Sequence, residues 1–583
     1  MHRTIAAAPG GGSTAEAVKK GFHNIYKMEG DEPSGGNTLL QNIAQINAVE
    51  NGFDVVIVCT SSLGQELFWQ QRLEAVRGQV LPQDSTVLVV HEDWDGGAGN
   101  GLGTLYAFQK ACAKGHATRG MDLLGSLRTA KASVAMFHTA GKGTRLAPLP
   151  GSENNNKPGV KLPAQVTVGG DSVPITILEA VVKQCGIYAP SRRGRLSVFW
   201  GDQVFVPSVP ANYDATRFHA DILASLGPMP TAEQWAERGL EKYGLIAVNA
   251  SGDAAQIEKV THGAASAMLS GLGQIEAVGV SLGSYSVDAT LLEALLGEFA
   301  PELQAKKGKL DSDPHFWMPL TLPRDAYIGA MAAKGVEADN AAQHFDRVAA
   351  MRLKFEAGAA PSSAVGIFGA VDVGADKYWW DYGQLKLYRQ NNMLLVNPAG
   401  MAEPDALRLF LGLDGASGGR QRGNALPEAA HVDGNSVVVG CSIGKGPCVI
   451  QASVLSGVTA ASIEVECCIL INVTARAIKA KHCLLYNVCD HSEGGVDESD
   501  AGSVRADVFG LEEGLSMRSA FDIDGKLAWS EKVKGNPRTF EEVYKLNMNA
   551  DVLDAQDVMV KAHRKAAASA LMLGEAAATT QIT

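Results

Sequence analysis

The chain has 583 residues, 46% hydrophobic and 20% charged, with 51 Lys plus Arg against 63 Asp plus Glu for a formal charge of −12. At roughly 100–200 residues per domain this length predicts about three to four domains, or one large domain with appendages, and the composition excludes a mainly disordered or fibrous chain. The acidic balance excludes broad electrostatic binding to nucleic acid or to an anionic membrane, but not a local basic pocket for a phosphate.

No apolar run approaches the ~18–20 residues of a membrane span. Residues 1–35 read as a flexible N-terminus: they are rich in Gly and small residues, mix Glu16 with Arg3, Lys19 and Lys20, and lack the apolar core of a secretory signal. A trimmed organellar presequence stays open. The 9 cysteines include no Cys-x-x-Cys pair, which fits neither a disulfide framework nor a zinc site and points to a reducing, intracellular compartment.

The first half alternates short β runs with helical stretches, the pattern of an α/β domain with a mainly parallel sheet. Strands are predicted at Phe53–Cys59 and Thr86–Val90, with a helix between them over Gly64–Val76, and the second strand leads into the glycine-dense loop HEDWDGGAGNGLGT. Another strand, Ser133–His138, runs into TAGKGTRLAPLPGSENNNKPG; a helix at Ile175–Gln184 and a strand at Leu196–Trp200 ending in Gly201-Asp202 come next. Ligands of open α/β sheets sit at the carboxyl ends of strands, so these segments are expected to converge on one pocket. The stretch Met229–Gly239 reads as helical and Pro301–Pro323 as irregular, with Phe316-Trp317 of DSDPHFW, beside Asp311, Asp313 and His315, either packing or forming a substrate lid or sugar-stacking element.

From about Asn435 the texture changes to β-branched runs separated by small residues. Ile443, Val458, Val473 and Val488 recur every 15 residues, Ile463 and Ile478 keep that spacing, and Asn472 and Asn487 precede two of the repeating valines. Stacked short strands of a parallel β-solenoid answer such a pattern, since each turn buries its apolar face only against its neighbours. The Ala-, Leu- and Met-rich tail after Asp551 reads as a terminal helix. The predicted division is a domain over 36–425 with an insertion near 290–365, a solenoid over 426–515 and a helical segment over 516–583.

The densest chemical signal is Ala140-Gly141-Lys142-Gly143-Thr144-Arg145-Leu146, followed by Lys157-Pro158. Glycines let backbone approach a phosphate chain, and Arg145 and Lys157 add positive charge where a polyphosphate would lie. The spacing is neither a Walker A nor a GxGxxG motif. This loop resembles the signature loop of the sugar-1-phosphate nucleotidylyltransferases, the NDP-sugar pyrophosphorylases. Further segments resemble that family in its own order: Trp200-Gly201-Asp202, then Tyr243-Gly244 to Val248 with Ile257-Glu258-Lys259, then Gly279–Asp288, then Tyr378 to Gln384 around Asp381. The strand, Gln-rich helix and strand upstream of Gly99-Asn100-Gly101-Leu102-Gly103-Thr104 resemble the GDP-fucose pyrophosphorylase and fucokinase group, although no sugar-kinase segment follows; a related branch like the plastid-type UDP-glucose pyrophosphorylases is the alternative.

The resemblance implies a Rossmann-like nucleotide-diphospho-sugar transferase domain and Mg²⁺-dependent transfer of a nucleotide from a nucleoside triphosphate to a sugar 1-phosphate, in the cytoplasm or plastid stroma. It implies Arg145 and Lys157 as catalytic residues, with Lys161 as the alternative lysine. Gly99, Gly101, Gly103, Thr104, Ala140, Gly141, Gly143 and Thr144 would bind nucleotide, and Gly244, Glu258 and Lys259 the sugar phosphate. Asp202 and Asp381 would hold the metal, with Asp376 or Asp372 as substitutes for Asp381. The appended solenoid resembles domains that serve oligomerisation, regulation or a second activity, so a homo-oligomer through it is one expectation. A non-catalytic, nucleotide-sugar-binding paralogue is the competing function.

Overall fold

The computed structural model describes residues 38–139, 141–358, 365–415, 419–499 and 501–580. In the first half, β1 (Val55–Thr60), β2 (Thr86–His91), β3 (Val134–His138) and β6 (Arg195–Trp200) pair in parallel, β1 lying between β2 and β3, and β3 between β1 and β6. The runs VVIVCT and VAMFH are buried at every position rather than alternating, as strands covered on both faces must be. Side-chain caps start the intervening helices: Ser62 accepts from the Gln65 N–H, and Thr176 and Glu179 form a reciprocal capping box at Ile177–Cys185.

Past β6 the sheet turns antiparallel. The long β11 (Ile275–Asp288) pairs with β6, β8 (Phe218–Gly227) and β9 (Gly244–Asn249); β10 (Ala254–Glu258) forms the edge, and β12 (Gly366–Asp372) joins β8 in parallel. Two separate ribbons complete this half: β4 (Lys161–Val168) with β5 (Asp171–Thr176), and β7 (Gln203–Val206) with β13 (Tyr378–Asp381). This mixed α/β arrangement is consistent with a Rossmann-like domain.

The fifteen-residue spacing reappears as register. Val454–Glu466 pairs in parallel with Ile469–Lys481, Val458 opposite Val473 and Ile463 opposite Ile478. Backbone corners repeat with it: Gly457, Asn472 and Asn487 all have positive φ, as do Ala452, Cys467 and His482. Asn tolerates that region, and the Asn472 amide donates to Asn487 Oδ1 at 2.9 Å, tying successive corners together. The repeating valines lie in a buried cluster with Cys441, Cys468 and Cys483. One antiparallel pair, Ser503–Asp507 with Ser516–Ala520, ends the sheet. Ile469, Ile471, Leu484 and Tyr486 share a second core with Leu149, Val160 and Leu162, so the two halves pack as one body. The tail forms the Val552–Thr580 helix, which packs on both the parallel stack and the Leu63–Ala75 helix.

Two local expectations change. GNGLGT is not a loop but the opening of the Gly99–Arg119 helix. The stretch expected to be irregular holds the helices Ala300–Ala305 and Met318–Thr321 and a π-helical turn at Asp313–Trp317.

Candidate functional site

Strand pairing brings the two expected metal carboxylates together. Asp202 follows Gly201 at the end of β6; any side chain at Gly201 would place its Cβ 3.0 Å from the His138 carbonyl oxygen. The β7–β13 register then sets Asp381 opposite Gln203, beside Asp202. Lys157 Nζ pairs with Asp202 Oδ2, and the Gly383 N–H donates to Asp381 Oδ1 at 2.6 Å. A Cβ at Gly383 would stand 2.9 Å from Asp381 Oδ1, 3.2 Å from Asp202 Oδ2 and 3.5 Å from Lys157 Nζ, so all three charged groups converge on one point. Burial raises the Asp381 pKa above the ordinary carboxylate range, and the Asp202 charge adds to this against the Gly383 N–H, Lys157 and Arg145. Among the described residues no three His, Cys, Asp or Glu side chains gather as a metal-binding group. Mg²⁺ commonly takes only one or two protein carboxylates and completes its shell with phosphate and water, so the Asp202 and Asp381 donors fit it.

Lys157 and Asp202 open onto a cavity of about 410 Å³ that also reaches Gly244, Glu258 and Lys259. The β9–β10 register places Glu258 opposite Gly244. Lys259, at φ +55°, leaves the end of β10 with a 61% exposed side chain and pairs with Glu258 at 2.9 Å. Lys334 pairs with Glu258 as well. Burial acts to raise the Glu258 pKa, yet the two lysines outweigh it and hold the carboxyl below its usual range. Five of the expected site residues therefore share one cavity, with Asp381 set behind Asp202.

The signature loop lies beside this cavity. Gly141 (φ +138°) and Gly143 (φ +64°) take left-handed conformations that favour glycine, and a Cβ on Gly143 would come 2.9 Å from Pro150 Cγ and 3.3 Å from Lys157 Cγ. The loop thus folds back onto the segment that carries Lys157. Thr144 and Arg145 form a 3₁₀ turn; Arg145 is exposed, and its charge acts on Asp381. Ala140 lies outside the described residues. The C-terminal half braces the segment between Arg145 and Lys161: buried Glu153 accepts from the Tyr486 hydroxyl at 2.5 Å and the Asn487 amide at 2.8 Å, and it pairs with Lys161. Lys161 is thereby engaged away from the cavity, which leaves Lys157 as the lysine at Asp202.

Gly99, Gly101, Gly103 and Thr104, expected at the nucleotide, do not line the cavity. The would-be Cβ atoms of Gly99 and Gly101 lie 2.5 and 2.9 Å from the Leu310 carbonyl oxygen, and that of Gly103 lies 2.8 Å from Glu92 Oε2. These glycines permit close packing of the chain on itself. Thr104 is buried, 2.7 Å from His138 Nε2 and accepting from the Tyr285 hydroxyl at 3.2 Å, so it meets the cavity only through His138. Asp372 accepts from the Leu226 and Gly374 N–H groups and, like Asp376, does not line the cavity. Phe316 and Trp317 are buried against Phe299 and Phe368, which is the packing alternative. Sequence reasoning did not assign His138, Tyr243 or Asp313 to the cavity they line. Their signals were position only: His138 ends β3 just before the glycine loop, and Asp313 sits in DSDPHFW.

No family model matches the chain, and no curated protein matches it. Among solved structures, one named as a putative glucose-1-phosphate thymidylyltransferase from Bacillus anthracis, in complex with a sucrose, is similar over 58% of this chain and 94% of its own, at 12% identity and a TM-score of 0.17. A likeness that slight carries no argument about activity, and the case for function rests on the site.

Proposed function

We propose that the chain is a Mg²⁺-dependent sugar-1-phosphate nucleotidylyltransferase. The observation that carries the reading is the convergence of Lys157, Asp202 and Asp381 on Gly383, beside a cavity that also holds Gly244, Glu258 and Lys259. An oxygen of the sugar phosphate attacks the α-phosphorus of a nucleoside triphosphate, and the bond to pyrophosphate breaks. Such chemistry asks the protein to position two polyanions and offset their charge, with little covalent work. Mg²⁺ held by Asp202 and Asp381 would neutralise phosphate charge.

Lys157 exchanges its ion pair with Asp202 for the nucleotide phosphates. Arg145, on the 3₁₀ turn, faces the leaving pyrophosphate, and the backbone of Gly141, Gly143 and Thr144 borders the nucleotide. Lys259 takes the sugar phosphate, while Glu258 and Gly244 take the sugar. The product is GDP-fucose-like or UDP-glucose-like. We read the fifteen-residue stack as a β-solenoid over 426–515 that follows a catalytic domain over 36–425 and offers a surface for self-assembly. The test is pyrophosphate release by the purified chain with Mg²⁺, across ATP, CTP, GTP, UTP and dTTP against glucose, fucose, mannose and N-acetylglucosamine 1-phosphates. Release with one pair supports the reading; none with any pair refutes it and favours a non-catalytic nucleotide-sugar-binding protein.

A further inference from the structure

Two motifs that nucleotidyl transfer leaves unused, Gly99-Asn100-Gly101 and Asp311-Ser312-Asp313, meet, and of their residues only Asp313 lines the cavity. They are joined reciprocally. The Asn100 N–H donates to Asp311 Oδ1 at 3.0 Å, the Ser312 N–H donates to Asn100 Oδ1 at 2.6 Å, and the Gly101 N–H donates to the Leu310 carbonyl at 2.8 Å. The glycines on either side of Asn100 are required for that approach, since a Cβ at either would collide with Leu310. The next residues form the π-helical turn Asp313–Trp317, anchored by Phe316 and Trp317 in the core. Such turns hold a side chain where an α-helix would not place it. Here the turn delivers Asp313 to the same cavity wall as Glu258 and Gly244.

The surroundings of Asp313 decide what it would bind. Its carboxyl accepts a long hydrogen bond of 3.4 Å from the Ser312 hydroxyl and, among the described residues, forms no ion pair. Glu258, whose charge reaches Asp313, already holds Lys259 and Lys334. A carboxyl with spare acceptor capacity accepts hydrogen bonds from O–H groups.

We propose that Asp313 binds hydroxyl groups of the sugar moiety and that Asn100 positions it there. The identity of that ligand as a sugar 1-phosphate rests on the nucleotidyl-transfer reading; the hydroxyl recognition does not. The test is calorimetric titration of the full chain and its Asp313→Asn, Asp313→Ala and Asn100→Ala variants. The ligands are glucose, galactose, mannose, fucose and N-acetylglucosamine 1-phosphates, with inorganic phosphate as reference. Wild type is expected to bind at least one sugar phosphate tenfold or more tightly than phosphate. The Asp313 variants lose tenfold or more of that margin with phosphate affinity unchanged within twofold, and Asn100→Ala moves the same way by less. A margin retained in both Asp313 variants, an equal loss of phosphate binding, or no margin in wild type would overturn the proposal. Sugar-specific binding without pyrophosphate release would instead overturn the transfer reading and leave this proposal standing.

Discussion

Replacing Gly383 by Ala tests the convergence of charge directly. Gly383 does not have a positive φ, so a side chain there carries no left-handed backbone cost. Its methyl would lie 2.9 Å from Asp381 Oδ1 and 3.2 Å from Asp202 Oδ2, several tenths of an ångström inside ordinary contact, and both carboxylates must retreat. A misplacement of about 1 Å can cost about a hundredfold in rate, so a shift of roughly half that predicts a loss of about tenfold, or about 1.4 kcal/mol of transition-state stabilisation. The atoms contacted are mobile ends of polar side chains, so the fold should lose less than about 1 kcal/mol, below the usual range for overpacking a core. The assay is kcat/KM for pyrophosphate release over a Mg²⁺ titration, with the melting temperature as control. Wild-type kcat/KM and an unchanged Mg²⁺ requirement in a folded Gly383→Ala protein would refute the placement of the metal and phosphates between these groups.

The same geometry sets further outcomes. Arg145→Ala and Asp202→Ala should each lose more than about a hundredfold in turnover, about 3 kcal/mol of charge stabilisation, and Asp381→Asn should raise the Mg²⁺ concentration for half-maximal rate; near wild-type kinetics in all three would move the site elsewhere. Glu153→Gln leaves buried Lys161 without its counter-charge, so about 3 kcal/mol of stability should be lost in denaturant unfolding. No change would show that the C-terminal half does not brace the loop. Burial lowers the His563 pKa from 6.5 to about 4, where it contacts Thr474 Oγ1 at 2.9 Å. Because the unfolded chain then binds the proton more tightly, this contribution is complete above about pH 6.5 and is lost as pH falls through 4, up to about 3 kcal/mol. His563→Gln should flatten that part of the stability profile, and an identical pH profile would contradict it.

Where the sequence carried periodicity or strand ends, it was legible. The spacing of Val458, Val473 and Val488 became the parallel register, and Asn472 and Asn487 stood out because their corners are left-handed. The Gly201-Asp202 and Glu258-Lys259 pairs could be located because each ends a short β run whose neighbours sit on the same edge of the sheet. Glycines misled at Gly99 and Gly101. A glycine admits either a phosphate or another backbone, and only the tertiary approach of Leu310, more than two hundred residues away, shows which one is there. Asp313 could not be assigned for a related reason: a π-helical turn has no distinct hydrophobic period, and burial of Phe316 and Trp317 alone would not reveal where the preceding carboxyl points. The bracing of Glu153 by Tyr486 and Asn487 depends on contacts across more than three hundred residues, which no local pattern records.

The most direct test of the central claim is a ³¹P NMR time course of the purified chain with Mg²⁺, the nucleoside triphosphate and the sugar 1-phosphate that give the strongest pyrophosphate release. Nucleotidyl transfer predicts a new diphosphate ester and pyrophosphate growing in equal amounts, both absent when sugar 1-phosphate is omitted. Phosphate and nucleoside diphosphate accumulating without sugar 1-phosphate, or no change in any resonance, would contradict it.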